Sequence, residues 1–324
     1  MNSLVPPFDL QQFFLGPWNG DVAGSNFWIV LMGFLVTTAC GLVGNYLILR
    51  RMALVGDAIS HSVLPGIAIA FLISQNRGTL SMFLGALAAG IVTTVIIEVI
   101  HKKTRVKQDA AIGIAFTSLF AIGVILISIY TSQVDLDQEC VLYGEIAFVP
   151  IEPPVKFGGV VLGPLPVVRM GIVAALTILL IWVFYKELLV SSFDPGLALS
   201  LGINATLVHY ALMSWLSVVV VSAFESVGAI LVIAMLILPG ATASLLSDRL
   251  PVIMGMTVVH AALSSILGVH LATWLNCSSA GAMVVMASVL FTLAWIFSPH
   301  DGLIRRFVFR RFLRHEAPAV AEIS

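Results

Sequence analysis

The sequence predicts an all-α fold, a polytopic bundle of transmembrane helices. Hydrophobic residues make up 59% of the 324 residues and charged residues only 10%, with a mean hydropathy of +1.05. A soluble domain, by contrast, carries about 25% charged residues, because its surface faces water. Apolar runs long enough to cross a hydrocarbon core of about 30 Å also recur along the chain. We therefore expect lipid rather than water around most of the protein.

About nine apolar runs are long enough to span a bilayer, and eight spans is the next choice. The number depends on the runs 206–223 and 227–246, which are separated only by a short break at Glu225-Ser226. This pair forms either a tight helical hairpin or one span followed by a re-entrant segment. The nine runs are 27–49, 58–75, 79–100, 110–130, 167–185, 206–223, 227–246, 251–271 and 279–297.

The distribution of Lys and Arg predicts that the N-terminus lies outside and the C-terminus in the cytoplasm. In this orientation only Arg77, Lys156 and Arg169 of the sixteen Lys and Arg residues lie outside, and positive charge concentrates on the cytoplasmic side of membrane proteins. The predicted division is an extracytoplasmic segment 1–26, a transmembrane domain 27–298 and a basic cytoplasmic tail 299–324.

The outer segment 131–166 is acidic. It either raises the local concentration of cations or is an ordinary solvated loop, and its path is left open. The acidic residues are Asp135, Asp137, Glu139, Glu145 and Glu152, against Lys156.

Several activities are not expected from this chain. The dipeptide Gly-Lys does not occur, so no phosphate-binding loop is present, and His315-Glu316 lacks the second histidine of a zinc-protease motif. The formal net charge of −1 provides no basic field for nucleic acid. We expect a non-catalytic protein that holds no permanently bound cofactor and binds no nucleic acid.

The second apolar run carries Asp57 and His61, one helical turn apart. Side chains at this spacing lie on one helix face, about 6 Å apart at Cβ. Ionisable groups inside a membrane helix are costly and commonly mark a pathway or a bound ion. A carboxylate with an imidazole suits Mn²⁺, Zn²⁺ or Fe²⁺. Spacing alone leaves open a structural Asp–His hydrogen bond.

Two ligands are too few for a tight metal site, but a twofold dimer would supply the same pair again. Pro65-Gly66 is expected to break the helix beyond the histidine, as happens beside substrate paths. Small residues that would let another helix approach closely surround the pair: Gly56, Ala58, Ser60 and Ser62.

Residues 194–202 are predicted to form a complete short cytoplasmic helix. Asp194 suits the N-cap, Pro195 the first helical position and Gly202 the left-handed residue that closes the helix. Leu197 and Leu201 share one face. Such a helix fits a groove in a soluble partner. The alternative is a linker helix that lies on the surface.

Other ionisable residues carry weaker signals. Glu225 is a third candidate for a metal pathway, and the alternative is a helix-end carboxylate that reaches water. Glu98 ends a span and is interpreted as an interface residue. The isolated imidazoles of His209, His260 and His270 are expected to be packing residues rather than ligands.

Three blocks of this sequence resemble the zinc/manganese/iron family of ABC-importer permeases, often called the ABC-3 family. They occur in the family's order and spacing, and the resemblance covers roughly residues 27–300. Two departures are Gly240, where alanine is typical, and Ser244, where an arginine often follows. The blocks are Leu47 to His61, Asp194-Pro195 with Ala198 and Gly202, and Val227 to Val232 running to Pro239.

The resemblance implies a permease dimer in a bacterial cytoplasmic (inner) membrane. An extracytoplasmic metal-binding protein would deliver the ion, and a cytoplasmic ABC ATPase dimer would drive the cycle. Asp57 and His61 would be the metal-pathway pair, and 194–202 would be the coupling helix that docks on the ATPase. The segment around Glu225 is more similar to manganese- or iron-leaning members than to zinc ones. The partner permease would be a second copy or a related chain.

The alternative function is a secondary metal transporter or channel driven by an ion gradient without an ATPase. It explains the spans and the buried ionisable residues equally well, but it gives no reason for a short capped cytoplasmic helix. An intramembrane enzyme ranks third, because no nucleophile–base spacing is present. The residues do not choose among Mn²⁺, Zn²⁺ and Fe²⁺.

Overall fold

The structure is a computed structural model that describes residues 10–20, 22–74, 79–130, 146–157, 159–299 and 302. Eight helices in these ranges are long and apolar enough to cross a membrane. The predicted all-α polytopic bundle is therefore confirmed. The number of spans in a bilayer and the side on which each terminus lies stay predictions.

The first half of the bundle is built around α2, two thirds of whose most apolar stretch is buried. A short helix, α1, and one 3₁₀ turn, Gly16–Trp18, come before it. The described span begins five residues before the predicted start at 27. The helices are α1 (Leu10–Leu15), α2 (Val22–Leu49), α3 (Val55–Ser74), α4 (Thr79–Lys103) and α5 (Gln108–Tyr130).

The connection between α5 and the next span contains elements that the sequence did not suggest. A 3₁₀ helix, Ile146–Ile151, leads into an antiparallel hairpin of β1 (Pro154–Phe157) and β2 (Val160–Pro164). Gly163, at φ 123°, lies against the Trp28 ring where a Cβ atom would overlap it. Of the five acidic residues predicted here, only Glu152 lies within the described residues, and it is exposed.

The second half of the bundle contains two short helices between longer ones. The short helices α7 and α8 follow one span directly, and Asp194 alone separates them. The helices are α6 (Leu165–Val183), α7 (Tyr185–Phe193), α8 (Pro195–Ser200), α9 (Ala205–Leu246), α10 (Leu250–Leu275) and α11 (Ser279–Phe297).

Helix α9 turns back on itself at Gly228, whose φ of 74° and ψ of 168° are not helical. His209 on the first arm contacts Arg50, and Gly240 on the second arm packs against Asn45. A straight helix would place residues 209 and 240 about 47 Å apart, whereas their contacts Arg50 and Asn45 are only five residues apart in the chain. The hairpin alternative for the pair 206–246 is thus the observed one. Its second arm, Leu231–Leu246, is shorter than the eight full-length candidates.

Backbone contacts at small residues hold the helices close together. A Cβ atom at Gly44 of α2 would overlap the main-chain oxygen of Leu236 on α9. On α3, a Cβ at Gly66 would lie 2.5 Å from the main-chain oxygen of Gly85 on α4. Such contacts permit the close helix packing that membrane bundles rely on.

Candidate functional site

Asp57 and His61 meet on one face of α3, as their spacing predicted. Asp57 lies in the first turn of the helix, and its Oδ1 is 3.3 Å from His61 Nε2. The Asp57 side chain is 35% exposed and the His61 side chain 23%. A carboxylate in the first turn is favoured by the helix dipole. The two side chains are therefore in contact with each other and still partly accessible.

The histidine of this pair is held by aromatic rings from α5. Its ring centroid lies 4.7 Å from that of Phe116 and 5.5 Å from that of Phe120 in an edge-to-face contact. These contacts restrict the rotation of the imidazole and exclude water from one side of it.

The predicted close approach of another helix occurs at Gly56, where a Cβ atom would overlap the Leu236 side chain of α9. The predicted break at Pro65-Gly66 is wrong, because α3 continues through Pro65 to Ser74. The close α3–α4 packing at Gly66 and Gly85 keeps the chain helical beyond the proline. The proline still has no N–H to donate to the carbonyl of His61.

Within the described residues, no group of three or more His, Cys, Asp or Glu side chains is arranged to hold a metal ion. The backbone at Glu225 belongs to α9 near the turn at Gly228. The Glu225 side chain lies outside the described residues, so its predicted role is untested. Within the described residues, the Asp57–His61 pair is therefore not joined by a third such side chain.

The segment 194–202 folds as the short helix that the sequence predicted. Asp194 Oδ1 accepts hydrogen bonds from the N–H groups of Gly196 and Leu197, at 2.9 and 3.0 Å. Pro195 takes the first helical position. The helix closes where Gly202, at φ 79°, donates to Leu199 O and Ile203 donates to Ala198 O. This is a Schellman closure, in which a left-handed residue completes the helix end.

The side chains of this short helix divide into a buried anchor and an exposed apolar surface. Ala198 is fully buried, whereas Leu197 is 50% and Leu201 61% exposed. Leu199 and the preceding Phe193 are also exposed. Leu197 and Leu201, which share one face of this segment too short to span a membrane, form an exposed apolar surface of the kind that a soluble partner can cover.

A cluster of polar side chains at the end of the bundle predicted to be cytoplasmic was not predicted from the sequence. His209 Nε2 lies 3.1 Å from Glu98 Oε2, and Glu98 also pairs with Lys102. His209 Nδ1 lies 3.2 Å from Arg50 Nη1. The interpretation of His209 as a packing residue therefore missed its role as a bridge. The only sign of this cluster in the sequence was that polar residues lie at the inner ends of three separate spans.

Arg50 binds more groups than any other side chain in this cluster. Its Nε donates to Ser192 Oγ at 3.0 Å and its Nη2 to Ser191 Oγ at 2.9 Å. Burial lowers the pKa of the guanidinium. Arginine nevertheless stays charged at any physiological pH.

The other two histidines lie on α10, away from the Asp57–His61 pair. His260 is buried, and its Nε2 lies 3.4 Å from Ala287 O. His270 is surrounded by the rings of Phe13, Phe14 and Trp18, with centroids 5.7 to 6.1 Å away. Both environments agree with packing roles.

Fold and site together define a polytopic helical membrane protein with an ionisable pair in one span and a short capped helix between two others. The ABC 3 transport family matches residues 26–298, and the chain belongs to this family. The resemblance drawn from the three sequence blocks is thereby confirmed. The protein is a membrane-spanning transport component of the ABC class.

Curated relatives and a solved structure agree with this assignment. The manganese transport system membrane protein MntD of Bacillus subtilis is 48% identical over 279 residues, which cover 86% of this chain and 94% of MntD. The zinc transport system membrane protein TroD of Treponema pallidum is 43% identical over 292 residues, 90% of this chain and 79% of TroD. PsaBC from Streptococcus pneumoniae in complex with Fab matches with a TM-score of 0.72 and 32% identity, covering 92% of this chain and 100% of the matched chain.

Proposed function

We propose that this chain is the permease subunit of an ABC importer that translocates a divalent transition-metal ion delivered by an extracytoplasmic binding protein. The preformed Asp57–His61 pair on α3 carries the proposal. An intramembrane carboxylate and imidazole at 3.3 Å form a costly arrangement that an ion path explains. The cargo is a substrate, and no permanently bound cofactor is required.

The proposed cargo is Mn²⁺, Zn²⁺ or Fe²⁺, with manganese expected first. Relatives at 48% and 43% identity are named for manganese and zinc transport. Carboxylate oxygen suits Mn²⁺, and imidazole nitrogen suits Zn²⁺ and Fe²⁺. A site that mixes the two ligand types gives moderate affinity for all three ions, so ion delivery by the binding protein would decide which ion is carried.

The proposed transport unit contains two permease chains, either two copies or this chain with a related permease. A twofold axis beside α3 would bring a second Asp–His pair to the first and give four ligands. The absence of a third ligand within the described residues supports a shared site. Glu225 remains a further candidate ligand along the same path.

The proposed coupling helix is α8 with its caps, residues 194–202, docked in a groove of a cytoplasmic ABC ATPase dimer. Its exposed Leu197 and Leu201 and its rigid capping support this role. ATP hydrolysis would belong to that partner. In a bacterial inner membrane the segment 1–26 would lie outside, 27–298 would form the permease domain, and 299–324 would be a cytoplasmic tail.

The test is metal uptake into vesicles that contain this chain with its ATPase and binding protein. Uptake of Mn²⁺, Zn²⁺ and Fe²⁺ is measured with and without ATP, for the wild type and for Asp57→Asn, which keeps the side-chain shape. We expect ATP-dependent uptake of at least one ion that Asp57→Asn abolishes. ATP-driven uptake that survives the substitution would discard the metal pair while keeping the importer.

The alternative function is secondary transport along an ion gradient without an ATPase. It would account for the ionisable pair and for the eight candidate spans, but it leaves the exposed leucines of α8 without a partner. Uptake that needs a proton or sodium gradient and no ATP would favour it.

A further inference from the structure

We propose that Arg50 is the positioning residue that couples the motion of α8 to the helix of the metal pair. The inference rests on the proposed function, in which a conformational change of the ATPase moves α8. The side chain of Arg50 is hydrogen-bonded to the helix that leads into α8, and its main chain lies at the end of α2, where the turn into α3 begins.

The side chain of Arg50 donates hydrogen bonds to α7, the helix that leads directly into α8. Two of its nitrogens donate to Ser191 Oγ and Ser192 Oγ, at 2.9 and 3.0 Å. These serines lie in the last turn of α7, which ends at Phe193. The single residue Asp194 both ends α7 and caps α8, so no flexible linker separates the serines from α8. A displacement of α8 therefore displaces the groups that Arg50 binds.

The main chain of Arg50 begins the connection that leads to the metal pair. Helix α2 closes with Arg51 at φ 59°, where Arg51 donates to Ile48 O and Met52 donates to Leu47 O. This is again a Schellman closure, here with arginine at the position that glycine usually takes. The Val55 N–H then donates to Met52 O as α3 begins, two residues before Asp57. The path from Arg50 to Asp57 is hydrogen-bonded turn rather than loose chain.

A third contact fixes Arg50 to the rest of the bundle. Guanidinium groups only donate, so His209 Nδ1 accepts from Arg50 Nη1, and His209 Nε2–H donates to Glu98 Oε2. Lys102 completes the charge balance at Glu98. Arg50 thus joins α7 to α9 and, through His209, to α4. Side chains that are held on several helices switch between discrete arrangements and do not deform continuously. A residue that couples two sites requires this property.

The experiment measures ions transported per ATP hydrolysed by the complete importer in vesicles. Arg50→Lys keeps the charge but cannot make the forked contact, because an ammonium group has a different geometry. Ser191→Ala/Ser192→Ala removes the two acceptors and leaves Arg50 in place. Arg51→Lys is the matched control, since Arg51 is the exposed neighbouring arginine.

We expect both variants to lower the ratio of ions to ATP about tenfold, within the ordinary range of coupling between sites. Metal affinity and the amount of ATPase bound per permease should stay at wild-type values, and Arg51→Lys should match the wild type. The combination of both variants should be no worse than either one, because both break the same contact.

Two outcomes would overturn the proposal. A wild-type ratio in the serine variant, with only thermal stability lowered, would show that the cluster is structural. Wild-type uptake that does not need ATP would refute the proposed function and the coupling role with it, so the two failures are distinguishable in the same assay.

Discussion

At Asp57 and His61, two chemically active side chains face each other at 3.3 Å, and the described residues bring no third ligand to them. At α8 the caps satisfy the main chain at both helix ends, yet Leu197 and Leu201 face outward without a covering surface. The two regions differ in what they leave unsatisfied: a pair of ionisable side chains in the first and an exposed apolar surface in the second. On the proposed function, each region would supply one half of an interface that another chain completes.

The largest effect is expected from removing the metal ligands. Asp57→Asn with His61→Gln should weaken Mn²⁺ binding to the purified permease by about 100-fold or more, since even the loss of an outer hydrogen-bond partner costs 10- to 100-fold. Titration calorimetry checks the affinity. Binding of the ATPase should be unchanged, because α8 is a separate surface. A variant that loses both properties would show that the two regions are not independent.

The converse change should weaken partner binding and spare the ion site. Leu197→Asp with Leu201→Asp should weaken ATPase association about 30-fold, equivalent to about 2 kcal/mol for loss of an interface hot spot. Pull-down with the ATPase and Mn²⁺ calorimetry give the two readings. Leu199→Asp is the matched control, because this exposed leucine lies on another face of the same helix. An equal loss of ATPase association in the control and in the double variant would contradict the proposed docking face.

A smaller effect is expected at the residue that closes the coupling helix. Gly202→Ala should destabilise α8 locally by about 1–2 kcal/mol, because alanine disfavours the left-handed φ of 79°. No atom lies within 4 Å of the added Cβ, so the cost is conformational alone. Hydrogen exchange of the α8 amides should accelerate. Gly202→Asn should lie closer to the wild type, since asparagine tolerates this conformation.

The smallest effect is expected at the other end of the same helix. Asp194→Ala removes the acceptor for two N–H groups and should cost about 1 kcal/mol. Faster exchange at Gly196 and Leu197 would be the signature. Asp194→Asn keeps a capping oxygen and serves as the control. Equal exchange in Ala and Asn variants would mean that the cap contributes nothing.

How far the sequence predicted each feature depends on how local the feature is. The helix at 194–202 was predicted nearly to the residue, because its N-cap, proline and closing glycine act on their immediate neighbours. The Asp57–His61 contact followed from helical spacing alone. The fold class followed from composition and apolar run length. These inferences need no knowledge of which helices are neighbours.

The features that were missed depend on long-range packing. Arg50, Glu98 and His209 are 48 or more residues apart in sequence, so no local pattern brings them together. The break expected at Pro65 did not occur, because the packing of Gly66 on Gly85 supports the helix. The sequence also offered two interpretations of 206–246, and only the contacts of both arms decided for the hairpin.

The turn at Gly228 also determines whether the protein can tolerate residues inserted into α9. No loop stands between the two arms of α9, so nothing there can absorb an added residue. One extra residue between Gly228 and Leu236 would rotate the rest of the arm by about 100° and move Leu236 away from Gly44 and Gly56. The length of this segment is therefore as strongly constrained as its composition. Homologous chains should vary in sequence here without gaining or losing a residue.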